Sequence, residues 1–238
     1  MIISIESSSS NLSIALLAKE RLIDKLFIPI KNELSEIIIP TIKNFLIDNS
    51  ITFENISFIT IGCGPGSFTG IRVVIAAAKG IKLSNTNMKS IGINSLAGLA
   101  MSVLEEAKEK KCQYIIGSID SKRDDIFIQL FKINSLDDGK LPFSAMNDIE
   151  AIEIQNLDNY VSIHQLVAKD ILFVGHKSEL LKNNINNLKI SDQSEQNPNA
   201  LWVGILTSYI INKNIDVTNT RIAFNYLKPI YIRHPEIN

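Results

Sequence analysis

The sequence predicts an α/β protein in which mixed β-sheets carry helices on their faces. Three observations predict it. Short apolar, strand-like runs alternate with amphipathic, helix-like runs through the first half of the chain. The strand pattern begins afresh after the charged stretch Glu105 to Lys111, and a glycine-rich segment, Gly62 to Arg72, joins a strand-like run directly to a helix-like one.

In chain order, Ile2 to Glu6 and Leu12 to Ala18 read as strands across Ser7-Ser8-Ser9-Ser10-Asn11, a polar turn whose side chains can bond their own backbone. Leu22 to Ile28 is a third strand, ended by Pro29. From Ser35 to Asp48 the period changes, placing Ile38, Ile42, Phe45 and Leu46 on one helical face. Phe58 to Ile61 is a strand, Ile71 to Leu83 a helix, Ser90 to Ile93 a strand and Ser95 to Lys110 a helix. The order β-β-β-α-β-α-β-α is that of a ribonuclease-H-like lobe. After it, Tyr114 to Ile119 and Ile126 to Ile133 pair across the charged turn Asp120 to Asp125, and Leu172 to Gly175 adds a strand. Lys182 to Asn199 is rich in Asn, Ser and Gln and reads as a surface connection; Ala200 to Asn212 is a helix whose Trp202, Ile205, Leu206 and Tyr209 suit core packing. Two lobes follow, residues 1–110 and 111–238, the last segment free to pack back on the first lobe; their similar beginnings suit an old duplication.

Chemistry is scarce. The formal net charge of −1 supplies no overall field toward nucleic acid. Cys63 and Cys112 form no C-x-x-C pair, and His164, His176 and His234 have no metal-binding spacing. The start of the chain lacks the basic opening of a signal peptide, and Leu201 to Ile211 is shorter than the roughly 20 apolar residues of a membrane span, so a cytoplasmic protein with no membrane partner is expected. Gly62, Gly64, Gly66 and Gly70, with Pro65 among them, permit close backbone approach, and Ser67 and Thr69 can cap the following helix. Such a helix start attracts anions, but the segment has neither the lysine of a P-loop nor the spacing of a dinucleotide fingerprint, and a close-packed structural turn is the alternative.

The run Gly64-Pro65-Gly66-Ser67-Phe68-Thr69-Gly70-Ile71-Arg72 closely resembles the G-P-G-S-F-T-G-[VI]-R signature of the TsaB (YeaZ) family. In the same order, Ile5-Glu6-Ser7-Ser8 is similar to the family's I-D-T-S, Ser118 to Lys122 to its A-I-D-A-R, and Pro229 to Arg233 to its P-x-Y-L-R. The resemblance implies an actin-like ATPase (ASKHA) fold of two ribonuclease-H-like lobes. It implies a non-catalytic scaffold or activator that forms a homodimer alone and a heterodimer with TsaD, works with TsaE, and reaches tRNA through the complex. That complex uses ATP and magnesium to place threonylcarbamoyl on the anticodon-adjacent adenosine of tRNAs reading codons that start with A. No cofactor is assigned to this chain itself. Four departures weigh against a working nucleotide or metal site: Glu6 for the usual Asp, Cys63 for Arg, Leu34 where many members have His, and Lys122 for Arg.

The resemblance also places the partner interface on the first-lobe helices, here on Ile38, Ile42, Phe45, Val74, Ala77 and Ala78, while core packing of the same residues is the alternative. Lys79, Lys82 and Lys89 are candidates for a composite tRNA surface. Two other functions stay open: a nucleotide-binding ATPase or kinase-like enzyme of the same fold, and a peptidase, which would need a metal site.

Overall fold

A computed structural model describes residues 1–30, 33–135, 140–181, 185–193, 196–218 and 220–232. The first half contains β1 (Ile2–Glu6), β2 (Asn11–Ala18), β3 (Arg21–Pro29), α1 (Leu34–Asp48), β4 (Phe58–Gly62), α2 (Phe68–Ser84), β5 (Lys89–Ile93), α3 (Ser95–Ser102) and α4 (Leu104–Glu109). The second contains β6 (Tyr114–Asp120), β7 (Asp125–Ile133), β8 (Phe143–Ala145), β9 (Glu150–Glu153), α5 (Leu157–Ile163), β10 (Ile171–Gly175), α6 (Ser178–Leu181), β11 (Lys189–Ile190), α7 (Ala200–Asn212) and β12 (Ala223–Phe224). The single helix expected from Ser95 to Lys110 is instead two. At Val103 the backbone leaves helical angles, its N–H turns to the carbonyl of Ala100, and the chain restarts as α4.

Two sheets share one plan. In the first the order is β12-β5-β4-β1-β2-β3, with β1 antiparallel to β2 and parallel to β4. In the second the order is β11-β10-β6-β7-β8, with β9 also on β7, and β6 is antiparallel to β7 and parallel to β10. Each sheet thus opens with a hairpin and continues with parallel strands on the other side of its first strand, the ribonuclease-H-like arrangement. Two such lobes make the actin-like ATPase (ASKHA) fold.

The helices sort into layers. Ile38, Ile42, Phe45 and Leu46 of α1 and Ile71, Val74, Ile75 and Ala78 of α2 pack with Ile3, Ile5, Ile59 and Ile61 on the outer face of the first sheet. Leu157, Tyr160 and Val161 of α5 cover the outer face of the second with Ile116, Ile128 and Phe173. Between the sheets lie α3 and α7, whose Leu96, Leu99, Val203, Leu206 and Ile210 join Ile93, Ile115, Phe131 and Leu172 in one central core. Glycine and alanine make α3 thin enough for this position, and it is buried nearly all round.

Polar residues in apolar strands serve the same layer. The Ser4 hydroxyl donates to the Ala200 carbonyl at 2.7 Å, the Ala200 N–H donates to Ser13 Oγ at 3.0 Å, and the hydroxyls of Thr60 and Thr207 meet at 2.8 Å. Buried polar groups need such partners, so β1, β2 and β4 are each pinned to α7. β12 then adds antiparallel to β5, at the edge of the first sheet. α7 and β12 therefore both return to the first sheet.

Leu206 is fully buried on α7, in the central core between the first sheet and α3. Leu206→Ala is expected to lower the unfolding free energy by about 2–5 kcal/mol, read by urea denaturation, because the cavity lies in a rigid layer that cannot collapse.

Candidate functional site

The glycine segment is clamped from beneath by a buried acid. β1 ends at Glu6, 1% exposed, whose Oε1 accepts from the Ser8 N–H at 2.6 Å and whose Oε2 accepts from the Ser95 hydroxyl at 2.8 Å. Ser95 Oγ in turn accepts from the Gly64 N–H at 3.1 Å, and the Ser95 N–H donates to the Gly64 carbonyl at 2.8 Å. The first residue of α3 is thereby tied to the glycine segment and, through Glu6, to the end of β1. Gly62 makes room for the acid: a Cβ there would stand 1.8 Å from Glu6 Oε2. Gly66 has φ 144°, and a Cβ would stand 2.2 Å from the Ser8 carbonyl oxygen, which accepts from the Ser67 N–H at 2.7 Å. Only glycine meets both demands. Ser67 then caps α2, its Oγ accepting from the Gly70 N–H at 3.3 Å. The Gly64–Pro65 bond is cis, Gly70 is buried, and Thr69 is exposed at the helix start. Loop N–H groups at Gly64, Ser67 and Gly70 are thus committed within the chain.

Burial raises the Glu6 carboxyl pKa, against the opposing hydrogen bonds from Ser8 and Ser95. Burial, with the Glu6 charge second, also pushes the Cys63 thiol up to about 12, so Cys63 stays protonated at neutral pH and is no nucleophile.

From outside, residues after β12 strap the same segment. The Ile230 N–H donates to the Cys63 carbonyl at 2.8 Å, and Arg72 Nε donates to Tyr231 Oη at 2.8 Å. The Arg72 guanidinium lies 4.2 Å from the centre of the Phe68 ring. Sequence reasoning missed Ser95 and the inward role of Glu6. It quoted Tyr231 only as part of a match; Arg233 of that match, like His234, lies outside the described residues.

The residues expected at a partner interface need correction as surface positions. Ile38, Ile42, Phe45, Val74 and Ala78 are at most 5% exposed and belong to the core of α1, α2 and the first sheet; Ala77 is half-buried. Their helical face is the more apolar one, and the sheet takes it. The same helices turn Ile39, Ile47, Ala76, Gly80 and Leu83 outward, with Leu83 82% exposed.

The fold implies a nucleotide with magnesium between the lobes, where Ser8, Ser9 and Ser10 face Asp120, Lys122 and His176 across a cavity of about 200 Å³. The fit is poor. The volume is below the range of about 300–1,000 Å³ usual for small-molecule sites. Glu6, the acid at the end of β1, is turned beneath the loop onto Ser8 and Ser95, and Lys122 Nζ already pairs with Asp120 at 2.9 Å. Among the described residues no group of three or more His, Cys, Asp or Glu is placed to hold a metal ion, and no helix is long and apolar enough to cross a membrane.

A raised carboxyl pKa in the folded state means that, above the ordinary value of 4.5, the native protein keeps a proton that the unfolded chain has released. The Glu6 contribution is full below that value and declines as pH rises through the native pKa. Urea unfolding at a series of pH values should show this decline in the parent protein and a flatter profile in Glu6→Gln.

Comparison with known proteins places this geometry. A family model described as TsaD: tRNA N6-adenosine threonylcarbamoyltransferase matches residues 30–232. The chain is 27% identical over 221 residues to the tRNA threonylcarbamoyladenosine biosynthesis protein TsaB of Buchnera aphidicola subsp. Acyrthosiphon pisum, covering 79% of this chain and 97% of that protein. It is 32% identical over 111 residues to the TsaB of Buchnera aphidicola subsp. Schizaphis graminum, a match that covers 47% of this chain and spans about half, 52%, of that relative. YeaZ from Pseudomonas aeruginosa shares the fold, with a TM-score of 0.71 over 97% of this chain and 99% of that one at 16% identity. With the family model matched over most of its length and the glycine-segment signature in place, the chain belongs to the TsaD family of tRNA N6-adenosine threonylcarbamoyltransferases, among its TsaB (YeaZ) members.

Proposed function

We propose that the chain serves tRNA threonylcarbamoyladenosine biosynthesis as an accessory subunit with no catalytic site of its own, docking on TsaD and working with TsaE. One observation carries this reading: the glycine segment, the most distinctive part of the sequence, directs its N–H groups at Gly64, Ser67 and Gly70 to Ser95, Ser8 and Ser67 of its own chain rather than toward a ligand. A segment so engaged sets the start of α2 rigidly, which suits a docking surface better than phosphate binding. The inter-lobe cavity, small for a nucleotide, supports the same reading.

The docking face is the outer side of α1 and α2. Ala76 and Gly80 let another helix come close, with open space at the Gly80 Cβ position, while Ile39, Ile47 and Leu83 supply apolar area. The buried Ile38, Ile42, Phe45, Val74 and Ala78 fix the two helices from beneath. The same face serves a homodimer when TsaD is absent. tRNA is reached through the complex, where the exposed Lys79, Lys82 and Lys89 lie on or beside α2. ATP and magnesium act in the complex, and the protein works in the cytoplasm.

Two outcomes test the face. Ala76→Arg, at an exposed position, should abolish TsaD capture in pull-down and homodimer formation in sedimentation while the circular dichroism melt is unchanged; retained association would reject the face. Ala78→Arg should instead lose the folded state, because the site is fully buried and an unpaired guanidinium there is costly. For the function itself, omission of this chain from TsaD, TsaE, ATP, threonylcarbamoyl-adenylate and tRNA should stop modification measured by nucleoside mass spectrometry. Turnover of threonylcarbamoyl-adenylate by this chain alone would overturn the accessory role.

A further inference from the structure

Large aromatic and cationic side chains gather where α2 begins and the chain's last described residues end. Phe68 is 41% and Tyr231 45% exposed, their ring centres 5.4 Å apart, and the Arg72 guanidinium lies against both. Its Nε–H is used by Tyr231 Oη; among the described residues no carboxylate pairs with it and its remaining N–H donors have no partner. An exposed guanidinium held over the Phe68 ring and anchored by its Nε–H to the Tyr231 hydroxyl is preorganised for a carboxylate or phosphate.

Tyr231 also belongs to a second feature. It lines a cavity of about 370 Å³, whose apolar walls include Ile149, Phe224, Ile230 and Ile232. The Gln129 amide, also in the lining, is 1% exposed and held inward, its Oε1 accepting from Asn94 at 2.6 Å and its Nε2 donating to the Asn147 carbonyl at 2.9 Å. At the rim, Arg221 Nε pairs with Asp148 at 2.6 Å.

We propose that this groove docks a short acidic peptide segment of a partner protein, one carboxylate seated on Arg72 and a neighbouring aliphatic or aromatic side chain in the Tyr231 cavity. Charge complementarity selects the occupant, since Arg72 has no ion-pair partner among the described residues and adjoins, through Tyr231, a cavity with four aliphatic or aromatic walls besides Tyr231. A nucleic-acid base fits less well: it needs polar groups that read its edge, and the Gln129 amide is 1% exposed and held inward by Asn94 and Asn147. The proposal is independent of the outer face of α1 and α2, and Ala76→Arg should leave it intact.

Fluorescence anisotropy of the whole protein with a labelled heptapeptide, two glutamates flanking a phenylalanine, tests it against a twin carrying lysines for glutamates. The acidic peptide should bind, the twin should not, and Arg72→Ala should weaken binding by about tenfold or more, as expected on losing a charged hydrogen-bonded pair. Ile149→Trp, which fills the cavity, should weaken it as well. Arg72 is exposed, so an unchanged melt checks that the fold survives. Absence of acidic-peptide binding up to about 1 mM, equal binding of the twin, insensitivity to Arg72→Ala, or tighter binding of a single-stranded RNA oligonucleotide at the same residues would each overturn the proposal.

Discussion

One buried carboxyl organises the first lobe. Glu6 stands where the end of β1, the glycine segment and the first residue of α3 converge, and it accepts hydrogen bonds from Ser8 and Ser95 while Ser95 holds Gly64. An acid without solvent is costly unless its oxygens are engaged, so the local architecture supplies donors to both. Gly62 and Gly66 follow from the same constraint, the first leaving space for the carboxyl and the second letting the loop settle against the Ser8 carbonyl. The start of α2 is set from this point, through the Ser67 cap and the Ser8 carbonyl.

Around it the two halves repeat one plan to different ends. Both sheets place a hairpin beside parallel strands, but the first has its outer face covered by long helices, α1 and α2, and the second by the shorter α5 and α6. The central layer of α3 and α7 belongs to both sheets. The protein is therefore better described as two sheets sharing a core than as two bodies joined by a linker.

Much of this was legible in the residues. The period of Ser35 to Asp48, the strand before the glycine segment and the helix at Ala200 to Asn212 all rest on local patterns that the fold keeps. The sequence also marked the glycine segment as the unusual place. Illegible were features made by distant residues. Ser4, Ser13 and Thr60 are polar positions in apolar strands whose partners come from α7, nearly 200 residues on for Ser4. Val103 breaks a helix whose period continues on either side, and Phe143–Ala145 is too short to carry a strand signal. At the candidate site, Ile38, Ile42 and Val74 satisfy a partner face and a core equally well by type and spacing; only the position of the sheet decides between them.

The return of α7 across β1, β2 and β4 bears on how the protein is made. Domains at the start of a nascent chain commonly fold before the rest is synthesised. Here the inner face of the first sheet stays uncovered until residues 200–212 have left the ribosome, and its edge on β5 is unpaired until Ala223 and Phe224 follow. Most of the polypeptide must emerge before its opening strands acquire their final neighbours, so interruption of translation in the second half leaves an apolar sheet exposed to chaperones and proteases rather than a finished first lobe.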